Sequence, residues 1–276
     1  MHMKHFLPFL TLSLLAFSCT RTAEAPLVEW TFHAPSTKAS LNASGAFSWT
    51  EGDQIDVWNE ASGAFVTFTS GNGSGRFSAQ APASAHFTTA AFSPAGIADG
   101  LGSVTLPAAY SKDELAAGRG IPMYAPVNEG SDLLHFKHLG AYLTIAIDHL
   151  PGNIDKLILS SPTVSLNGNF TLVEAAGEKE IRAATGSGSL SLTFAPGANQ
   201  SIRLTVPVPT GTYALSYQAY DGDTPEKFVR RTEDITFRRG HLYTLATADP
   251  VLEGEYLVLA LTCEEYDIHV EDNLWE

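Results

Sequence analysis

The chain is poor in cysteine and in basic residues, and each scarcity excludes a class of protein. Only two of its 276 residues are cysteines, Cys19 and Cys263, which cannot build the disulfide framework of a small secreted scaffold. Lys and Arg together number 16 against 30 Asp and Glu, for a formal net charge of −14. Because phosphate binding needs clustered basic side chains, this composition argues against a nucleic-acid partner.

Long helical periodicity is also scarce, which argues against a helical bundle. Glycine and proline, with 23 and 15 residues, are spread along the whole chain. Short alternating segments between such turn residues are typical of the strands of sandwiches and barrels. The sequence therefore predicts an all-β fold, and its length of 276 residues fits one large domain or two ordinary ones.

Motifs for catalysis and for metal binding are missing as well. No serine lies in a Gly-x-Ser-x-Gly elbow, and Cys263 has no identifiable partner for nucleophilic chemistry. His135 and His138 lie three residues apart on a predicted strand, so they point to opposite faces and do not share a metal. Paired carboxylates of the glycosidase kind form only in space and leave no trace in sequence. From the residues alone we expect no metal and no cofactor.

The first residues are typical of an export signal. Lys4 precedes an apolar core of 12 residues, Phe6 to Phe17, which is too short to span a bilayer comfortably. The core runs into Ser18 and Cys19, and a small residue directly before a cysteine resembles a bacterial lipobox. The resemblance implies cleavage between these two residues, which leaves 1–18 as the signal peptide and 19–26 as a lipidated linker.

Lipidation at Cys19 would anchor the exported chain to the outer membrane. One acyl chain such as palmitate holds a protein only marginally, whereas three chains make a lasting anchor. The alternative is ordinary secretion, with cleavage near Ala23-Glu-Ala25. The chain is exported under either interpretation.

The strongest strand pattern lies in the middle of the chain, from Phe136 to Leu150. Apolar residues recur there at every second position, which predicts a strand with one buried face. Phe136 and His138 lie on the opposite parity, so we expect a bulge at Gly140 to reset the register. The residues predicted to share the buried face are Leu139, Ala141, Leu143, Ile145 and Ile147.

Two further segments of the first half carry clear patterns. Gly71 to Gly75 is glycine-rich but lacks the lysine and the following helix of a phosphate-binding loop, so it predicts a plain loop. Leu27 to Ala34 alternates cleanly, which predicts a half-buried strand. The residues predicted to share its buried face are Val28, Trp30, Phe32 and Ala34.

A turn and a helix are predicted from local side-chain chemistry. Glu51-Gly-Asp53 is typical of a turn between two strands, with Gly52 free to take positive φ. Ser111 is followed three residues later by Glu114, which is the pattern of a capping box. This pattern predicts a short helix from Ser111 to Ala117 that ends at Gly118.

Five motifs in a fixed order carry a resemblance to a known family. They are Trp-x-Glu-Gly-Asp-x-Ile-x-Val from Trp49, Phe-Ser-Pro from Phe92, Val-x-Leu-Pro from Val104, Pro-Met-Tyr-Ala from Pro122 and Phe-x-His-Leu from Phe136. Behind a lipobox-like segment, this series resembles the fimbrillin-like (Mfa-like) proteins of Bacteroidota, which include type V pilus subunits and surface lipoproteins. The chain departs from the family at Lys38, where an arginine is common.

The resemblance implies an architecture and a route of assembly. The architecture is two tandem β-sandwich lobes of the transthyretin type, 27–130 and 131–250, with a C-terminal strand tail, 251–276. In the route of assembly, a protease removes the N-terminal strand of one subunit, and the C-terminal strand of a partner takes its place. Arg21 and Lys38 are the candidate cleavage sites on either side of the first strand, and an arginine-specific protease could use only Arg21.

The tail differs in composition from the rest of the chain. Between Val251 and Glu276 there are eight acidic residues and no Lys or Arg. Tyr256 to Cys263 is continuously apolar, which predicts one strand buried on both faces. Such a strand can fill a groove in a neighbour or complete its own chain's sheet, and the sequence leaves both open. The candidate donor residues are Tyr256, Val258, Ile268, Val270 and Leu274.

The function implied by the resemblance is that of a cell-surface fimbrial subunit or adhesin that assembles by donor-strand exchange. Together with the missing catalytic motifs, the resemblance implies that the chain is not an enzyme. Its partners would be other copies or related pilus subunits, and outer-membrane lipid through Cys19. The alternatives are a stand-alone outer-membrane lipoprotein that binds a glycan or host ligand, and a pilus anchor or tip subunit that keeps its lipid. The only basic concentration lies at residues 230–231 and 238–239, and such pairs more often straddle a strand than form a binding patch.

Overall fold

The computed structural model of this protein describes residues 25–35, 49–92, 97–98, 100–116, 121–197, 200–247, 251–253, 256–258 and 261–267. The predicted signal peptide with Ser18, the predicted lipidation site Cys19 and the candidate cleavage sites Arg21 and Lys38 lie outside these ranges, so the predictions made on them stay predictions. The described secondary structure is almost entirely β, which confirms the predicted all-β class.

The first half of the chain contributes ten strands and one short helix. In chain order these are β1 (Leu27–His33), β2 (Gln54–Asn59), β3 (Ala64–Ser70), β4 (Arg76–Pro82), β5 (Phe87–Phe92), β6 (Ile97–Ala98), β7 (Ser103–Leu106), β8 (Ala109–Ser111), α1 (Lys112–Ala116), β9 (Met123–Pro126) and β10 (Lys137–His138).

The second half contributes the remaining described strands. In chain order these are β11 (Ala141–Leu150), β12 (Lys156–Ser160), β13 (Gly168–Ala175), β14 (Glu178–Ile181), β15 (Leu190–Thr193), β16 (Gln200–Val208), β17 (Gly211–Tyr213), β18 (Ser216–Asp221), β19 (Thr224–Arg231), β20 (Ile235–Phe237), β21 (His241–Thr247), β22 (Val251–Glu253), β23 (Tyr256–Val258) and β24 (Leu261–Asp267).

The first lobe is built from one seven-stranded sheet in the order β1-β4-β3-β2-β5-β9-β10, antiparallel at every pairing. The sheet curls until β1 meets the segment before β10. There the His33 N–H donates to the Asp132 carbonyl, and the Leu134 N–H donates to the His33 carbonyl, both at 2.7 Å. The two faces of this sandwich are thus halves of one sheet. The core that it encloses includes Phe32, Trp49, Ile55, Phe68, Phe77, Phe87, Met123 and Phe136.

The second lobe is a sandwich of two sheets. A four-stranded sheet in the order β16-β11-β21-β24 faces a five-stranded sheet in the order β19-β18-β12-β15-β8. Side chains that alternate along each strand fill the space between the sheets, as the period-two patterns predict. The core residues there include Leu143, Ile145, Leu157, Leu159, Leu190, Leu192, Leu204, Val206, Tyr217 and Leu245.

The central strand β11 is covered on both faces over its first half. Leu143, Ile145 and Ile147 point into the second core, as predicted. On the other face, Tyr142 is fully buried in the first core, and Thr144 is also buried. The prediction of a single buried face is therefore wrong at the start of the strand, because the first lobe packs against it there.

The change of parity before β11 has a different cause from the predicted bulge. Residues before Gly140 belong to β10 in the first lobe, and residues after it belong to β11 in the second, so the chain changes sheets at this glycine. A Cβ atom on Gly140 would lie 2.8 Å from the Val208 carbonyl oxygen. A glycine is needed here because the two backbones approach too closely for any side chain.

The described contacts cross the predicted lobe boundary in both directions. From the first half, β8 pairs with β15, and its Tyr110 lies in the second core. From the second half, Leu134 and Phe136 lie in the first core. The small sheet β14-β13-β7-β6 and a third buried cluster, which includes Tyr124, join the two lobes. The boundary at residue 130 stays a prediction.

The predicted turn at Gly52 and the predicted start of the helix are confirmed, whereas the helix end at Ala117 and Gly118 and the strand expected before the turn are not covered by the described residues. Gly52 has a φ of +86°, and the Thr50 N–H donates to the Asp53 carboxylate at 2.6 Å. At the start of α1, the Ser111 N–H donates to the Glu114 carboxylate at 2.8 Å, and the Glu114 N–H donates to the Ser111 hydroxyl at 3.2 Å. This exchange is the capping box, and it satisfies backbone donors that the helix leaves open.

Candidate functional site

The first strand lies at an edge of the seven-stranded sheet. It pairs with β4 over seven consecutive residues, from Leu27 opposite Pro82 to His33 opposite Arg76. Within the described residues, its only other backbone link is the corner where His33 meets Leu133. An edge strand held by a single neighbour can be withdrawn without breaking the ladders between the other strands.

The first strand nevertheless supplies part of the core. Phe32 is only 3% exposed, and its ring lies 5.1 Å from the Phe68 ring and 5.8 Å from the Phe87 ring. Trp30 is half-buried and packs edge-on against Phe87 at 5.1 Å. The two rings occupy one slot between β3 and β5, so removal of β1 would leave this slot open.

A tight corner follows the strand at Ala34. The Trp49 Nε1–H donates to the Ala34 carbonyl oxygen at 3.1 Å, and the Ala34 N–H donates to the Gly75 carbonyl at 2.7 Å. A Cβ atom on Gly75 would lie only 2.2 Å from the same Ala34 oxygen, and the φ of Gly75 is +79°. The glycine-rich loop is therefore a plain loop, as predicted, whose last glycine lets the first strand end close to Trp49.

Burial changes steadily along the first strand. Ala34 and Phe32 are buried and Trp30 is half-buried, whereas Val28 is 38% exposed and Leu27 is 65% exposed. The prediction that Val28 shares the buried face is wrong, because the core does not reach the start of the strand. The side chains that anchor β1 are thus those of its second half.

The tail completes a sheet of its own chain. Strand β24 pairs antiparallel with β21 at seven positions, from Thr247 opposite Leu261 to His241 opposite Asp267, and lies at the edge of the second lobe. Tyr256 and Val258 lie in β23, which forms a small hairpin with β22. The predicted single strand from Tyr256 to Cys263 is therefore two strands in different sheets. The other candidate donor residues, Ile268, Val270 and Leu274, lie outside the described residues.

The predicted separation of the two neighbouring histidines is confirmed. His135 is exposed, whereas His138 is fully buried with its Nδ1 at 3.0 Å from the Tyr142 hydroxyl. Burial, together with the charge of Arg239, lowers the pKa of His138 to about 3. In the described ranges, no three His, Cys, Asp or Glu side chains are grouped as a metal site would require.

A polar cluster that the sequence did not predict joins the two lobes. The Glu178 carboxylate accepts hydrogen bonds from the Tyr124 hydroxyl and from the Lys137 ammonium group. Burial raises the pKa of this carboxyl, but the hydrogen bonds and the charges of Lys137 and Arg239 outweigh it and hold the pKa below its usual value. The partners lie 41 to 54 residues apart in sequence, so no local pattern could have indicated them.

A shallow cleft of about 220 Å³ lies at the end of β12 in the second lobe. Its lining combines the hydroxyl groups of Ser160, Ser216 and Thr232 with the exposed side chain of Arg231. Two of these hydroxyls, on Ser160 and Ser216, already lie 2.9 Å from each other. The cleft is smaller than the volume of about 300 Å³ at which sites for drug-sized ligands begin.

Two searches by sequence returned no relative. No family model matches the chain, and no curated protein matches its sequence. None of the helices among the described residues has the length and apolar character needed to cross a bilayer.

The two-lobe β architecture has counterparts among solved structures. The fold is similar to the crystal structure of a candidate cell adhesion protein from Bacteroides ovatus, with a TM-score of 0.57, 16% identity, and coverage of 88% of this chain and 98% of that one. At this identity the likeness shows the fold alone. It confirms the expected resemblance at the level of the fold.

Two fimbrial proteins from Porphyromonas gingivalis are more distant in structure. The tip protein Mfa3 with a C-terminal truncation has a TM-score of 0.42 at 11% identity, covering 88% of this chain and 100% of that one. The anchor protein Mfa2 has a TM-score of 0.40 at 13% identity, covering 87% and 98%.

Proposed function

We propose that this chain is a cell-surface fimbrial subunit or adhesin whose first strand is exchanged for a strand of a partner. One observation carries the proposal: apart from the corner at His33, β1 is an edge strand whose described ladder is with β4, and yet it places Phe32 in the core. Such a strand can leave without breaking the ladders between the other strands, and a strand that replaces it refills the core.

Removal of β1 would create a site that only another strand can fill. The edge of β4 would present unpaired N–H and C=O groups from Arg76 to Pro82, and the slot beside Phe68 and Phe87 would open to water. An incoming strand restores the backbone hydrogen bonds and fills the slot with alternate side chains, which is the general physics of strand addition. The energetic gain is large because both backbone polar groups and aromatic surface leave water.

Export and processing belong to the same proposal. Lipidation at Cys19 would tether the chain to the outer membrane, and cleavage after Lys38 would separate β1 and the lipid from the body. Cleavage after Arg21 would release only the anchor. The proposal includes no catalytic role and no cofactor. Its partners are pilus subunits, membrane lipid through Cys19, and a glycan or host ligand where the chain acts as an adhesin.

A second candidate function is favoured by a different observation. Strand β24 is paired with β21 of its own chain along its whole length. The chain could therefore be the terminal subunit of a polymer, as an anchor or tip subunit, or a stand-alone binding lipoprotein. The cleft beside Arg231 is the described feature that a small anionic or hydroxylated ligand of such a protein would fit best.

The exchange is tested with a fluorescent peptide of residues 25–36, which contains β1. The chain from residue 20 onward is cut with trypsin under native conditions and incubated with the peptide, and incorporation is measured on gels without boiling. We expect incorporation after cleavage and none before it. A Lys38→Gln variant is the control, because it should stay uncut at this site and exclude the peptide. A cleaved and folded chain that never takes up the peptide would contradict the proposal.

The anchor is tested separately. Metabolic labelling with palmitate should mark the intact chain and leave a Cys19→Ala variant unlabelled. Continued labelling of the variant would show that the lipid is attached elsewhere or that the lipobox interpretation is wrong.

A further inference from the structure

We infer that the strand that replaces β1 comes from a different protein and has the pattern aromatic-x-aromatic-x-small, so that a second copy of this chain is not its donor. The inference rests on the proposed strand exchange and specifies its partner. It follows from the shape of the site that β1 now occupies and from the sequence and pairing of this chain's own tail.

The first two positions of the pattern require rings. Trp30 and Phe32 lie two residues apart on the same face of β1, and both pack against Phe87 at right angles, with ring planes 83° apart in each pair. Phe32 also packs against Phe68. Edge-to-face contacts of this kind add to the burial of apolar area, and an aliphatic side chain cannot reproduce them.

The third position requires a small residue. Ala34 is 1% exposed, and the hydrogen bonds from Trp49 and to Gly75 fix its backbone against two neighbouring segments. A larger side chain at this position would overpack a buried corner. By contrast, Glu29 directly precedes the pattern and is exposed, so its side chain places little restriction on a donor.

The tail of this chain does not have the required pattern. Between Val251 and Glu276 the aromatic residues are Tyr256, Tyr266 and Trp275, and none is followed two residues later by another aromatic residue. The nearest match is Tyr256-x-Val258-x-Ala260, which would place a valine in the slot that Phe32 fills. That substitution would leave a cavity between Phe68 and Phe87.

The pairing of the tail adds a second argument. Tyr256 and Val258 are already in a hairpin with β22, and β24 is already the edge strand of the second lobe. Donation of either strand would break its present ladder, so part of the gain from filling another subunit's site would be lost. A donor strand that is unpaired in its own protein would lose no such ladder.

A competition experiment tests the inference on the cleaved chain. Fluorescent peptide 25–36 is bound first, and unlabelled peptides are added while fluorescence polarisation is recorded. We expect peptide 25–36 to compete strongly and peptide 251–276 to compete at least roughly 100-fold more weakly. Within peptide 25–36, Phe32→Val and Ala34→Leu should each weaken binding roughly tenfold or more, whereas Glu29→Ala should have little effect.

The outcomes separate the inference from the function on which it rests. If peptide 251–276 competes as well as peptide 25–36, or if the Phe32→Val peptide binds as tightly as the parent, the inference is wrong and exchange between copies stands. If the cleaved chain takes up no peptide at all, the proposed exchange itself fails. The inference also predicts that the cleaved chain alone stays monomeric, and a ladder of this chain by itself would overturn it.

Discussion

The ring of Phe32 on the first strand meets the ring of Phe87 on β5 at 83° and 5.8 Å, across the core of the first lobe. In the order of the sheet, β1 and β5 are separated by three other strands, yet the curl of the sheet brings their side chains into contact. The same residue thus belongs to an edge strand and to the centre of the core. The exchange of this strand would therefore be a rebuilding of the core as well as of a sheet edge.

The first prediction concerns the contribution of Phe32 to stability. A Phe32→Ala variant should lose about 3–5 kcal/mol of unfolding free energy, because its buried ring leaves a cavity beside Phe68 and Phe87. Val28→Ala is the matched control on the same face of β1. Since Val28 is exposed, its loss should be about 0.5 kcal/mol or less. Urea denaturation of both variants measures the difference, and equal losses would show that β1 is not anchored at its second half.

The second prediction uses a disulfide to fix β24 of the tail in its pairing with β21. Thr247 and Leu261 are opposed in the antiparallel pair of β21 and β24, and such pairs have Cα separations of about 4.5–5.5 Å, within the range of disulfides. A chain with Thr247→Cys, Leu261→Cys and Cys263→Ser should form the bridge when oxidised and gain roughly 3 kcal/mol for a loop of about 15 residues.

The oxidised form of this variant should still take up peptide 25–36 after cleavage, because its own tail does not need to move. The reduced form of the same variant is the control. If oxidation abolishes uptake, movement of the chain's own tail is required for the exchange, and the prediction is wrong.

The third prediction concerns the polar cluster between the lobes. Glu178→Gln removes the negative charge that accepts hydrogen bonds from Tyr124 and Lys137. We expect a loss of about 1–2 kcal/mol, less than for a fully buried pair, because the Lys137 side chain is partly exposed and screened by water. The control is Asp223→Asn, which breaks the pair of Lys156 with a fully exposed carboxylate and should leave stability nearly unchanged.

The fourth prediction is a dependence of stability on pH. The pKa of His138 is about 3 in the folded chain and 6.5 in its ordinary state, so the unfolded chain takes up a proton in acid that the folded chain does not. The neutral histidine therefore contributes stability above pH 6.5 that is lost as the pH falls from 6.5 toward 3. The slope is about 1.4 kcal/mol per pH unit in this window.

The charged and polar groups around His138 do not alter this sign. Burial raises the pKa of Tyr142, whose hydroxyl contacts the His138 ring, well above its ordinary value, so this hydroxyl stays neutral throughout the window. A His138→Gln variant should show a flatter acid limb than the parent in urea denaturation at several pH values. His135→Gln changes an exposed histidine three residues away and should keep the parent's limb, and an unchanged limb in His138→Gln would contradict the assignment.

The features that could be predicted from sequence are those with a local cause. The alternation of Leu143, Ile145 and Ile147 predicts the strand and its core face, because side chains on a strand have a period of two. The exchange of hydrogen bonds between Ser111 and Glu114 depends only on their spacing of three residues, so it too has a local cause that the sequence shows. Both are confirmed by the structure.

The features that could not be predicted depend on contacts between distant segments. The alternation predicts that Tyr142 lies on the exposed face of its strand, but the first lobe packs against that face. The alternation also predicts that Val28 is buried, but the core does not extend to the start of β1. The partners of Glu178 come from β9 and β10, and nothing near that residue in sequence indicates them. The same holds for the pairing of β1 with β4, on which the candidate site depends.

The central claim is that the first strand is exchangeable, and the mass of the cleaved complex tests it most directly. The chain from residue 20 onward is cut at Lys38, incubated with an isotope-labelled peptide of residues 25–36, and measured by native mass spectrometry. The account predicts that the original fragment is replaced by the labelled peptide, one per chain, while the remainder stays folded. A complex that keeps its original fragment unchanged after long incubation with excess peptide would contradict it.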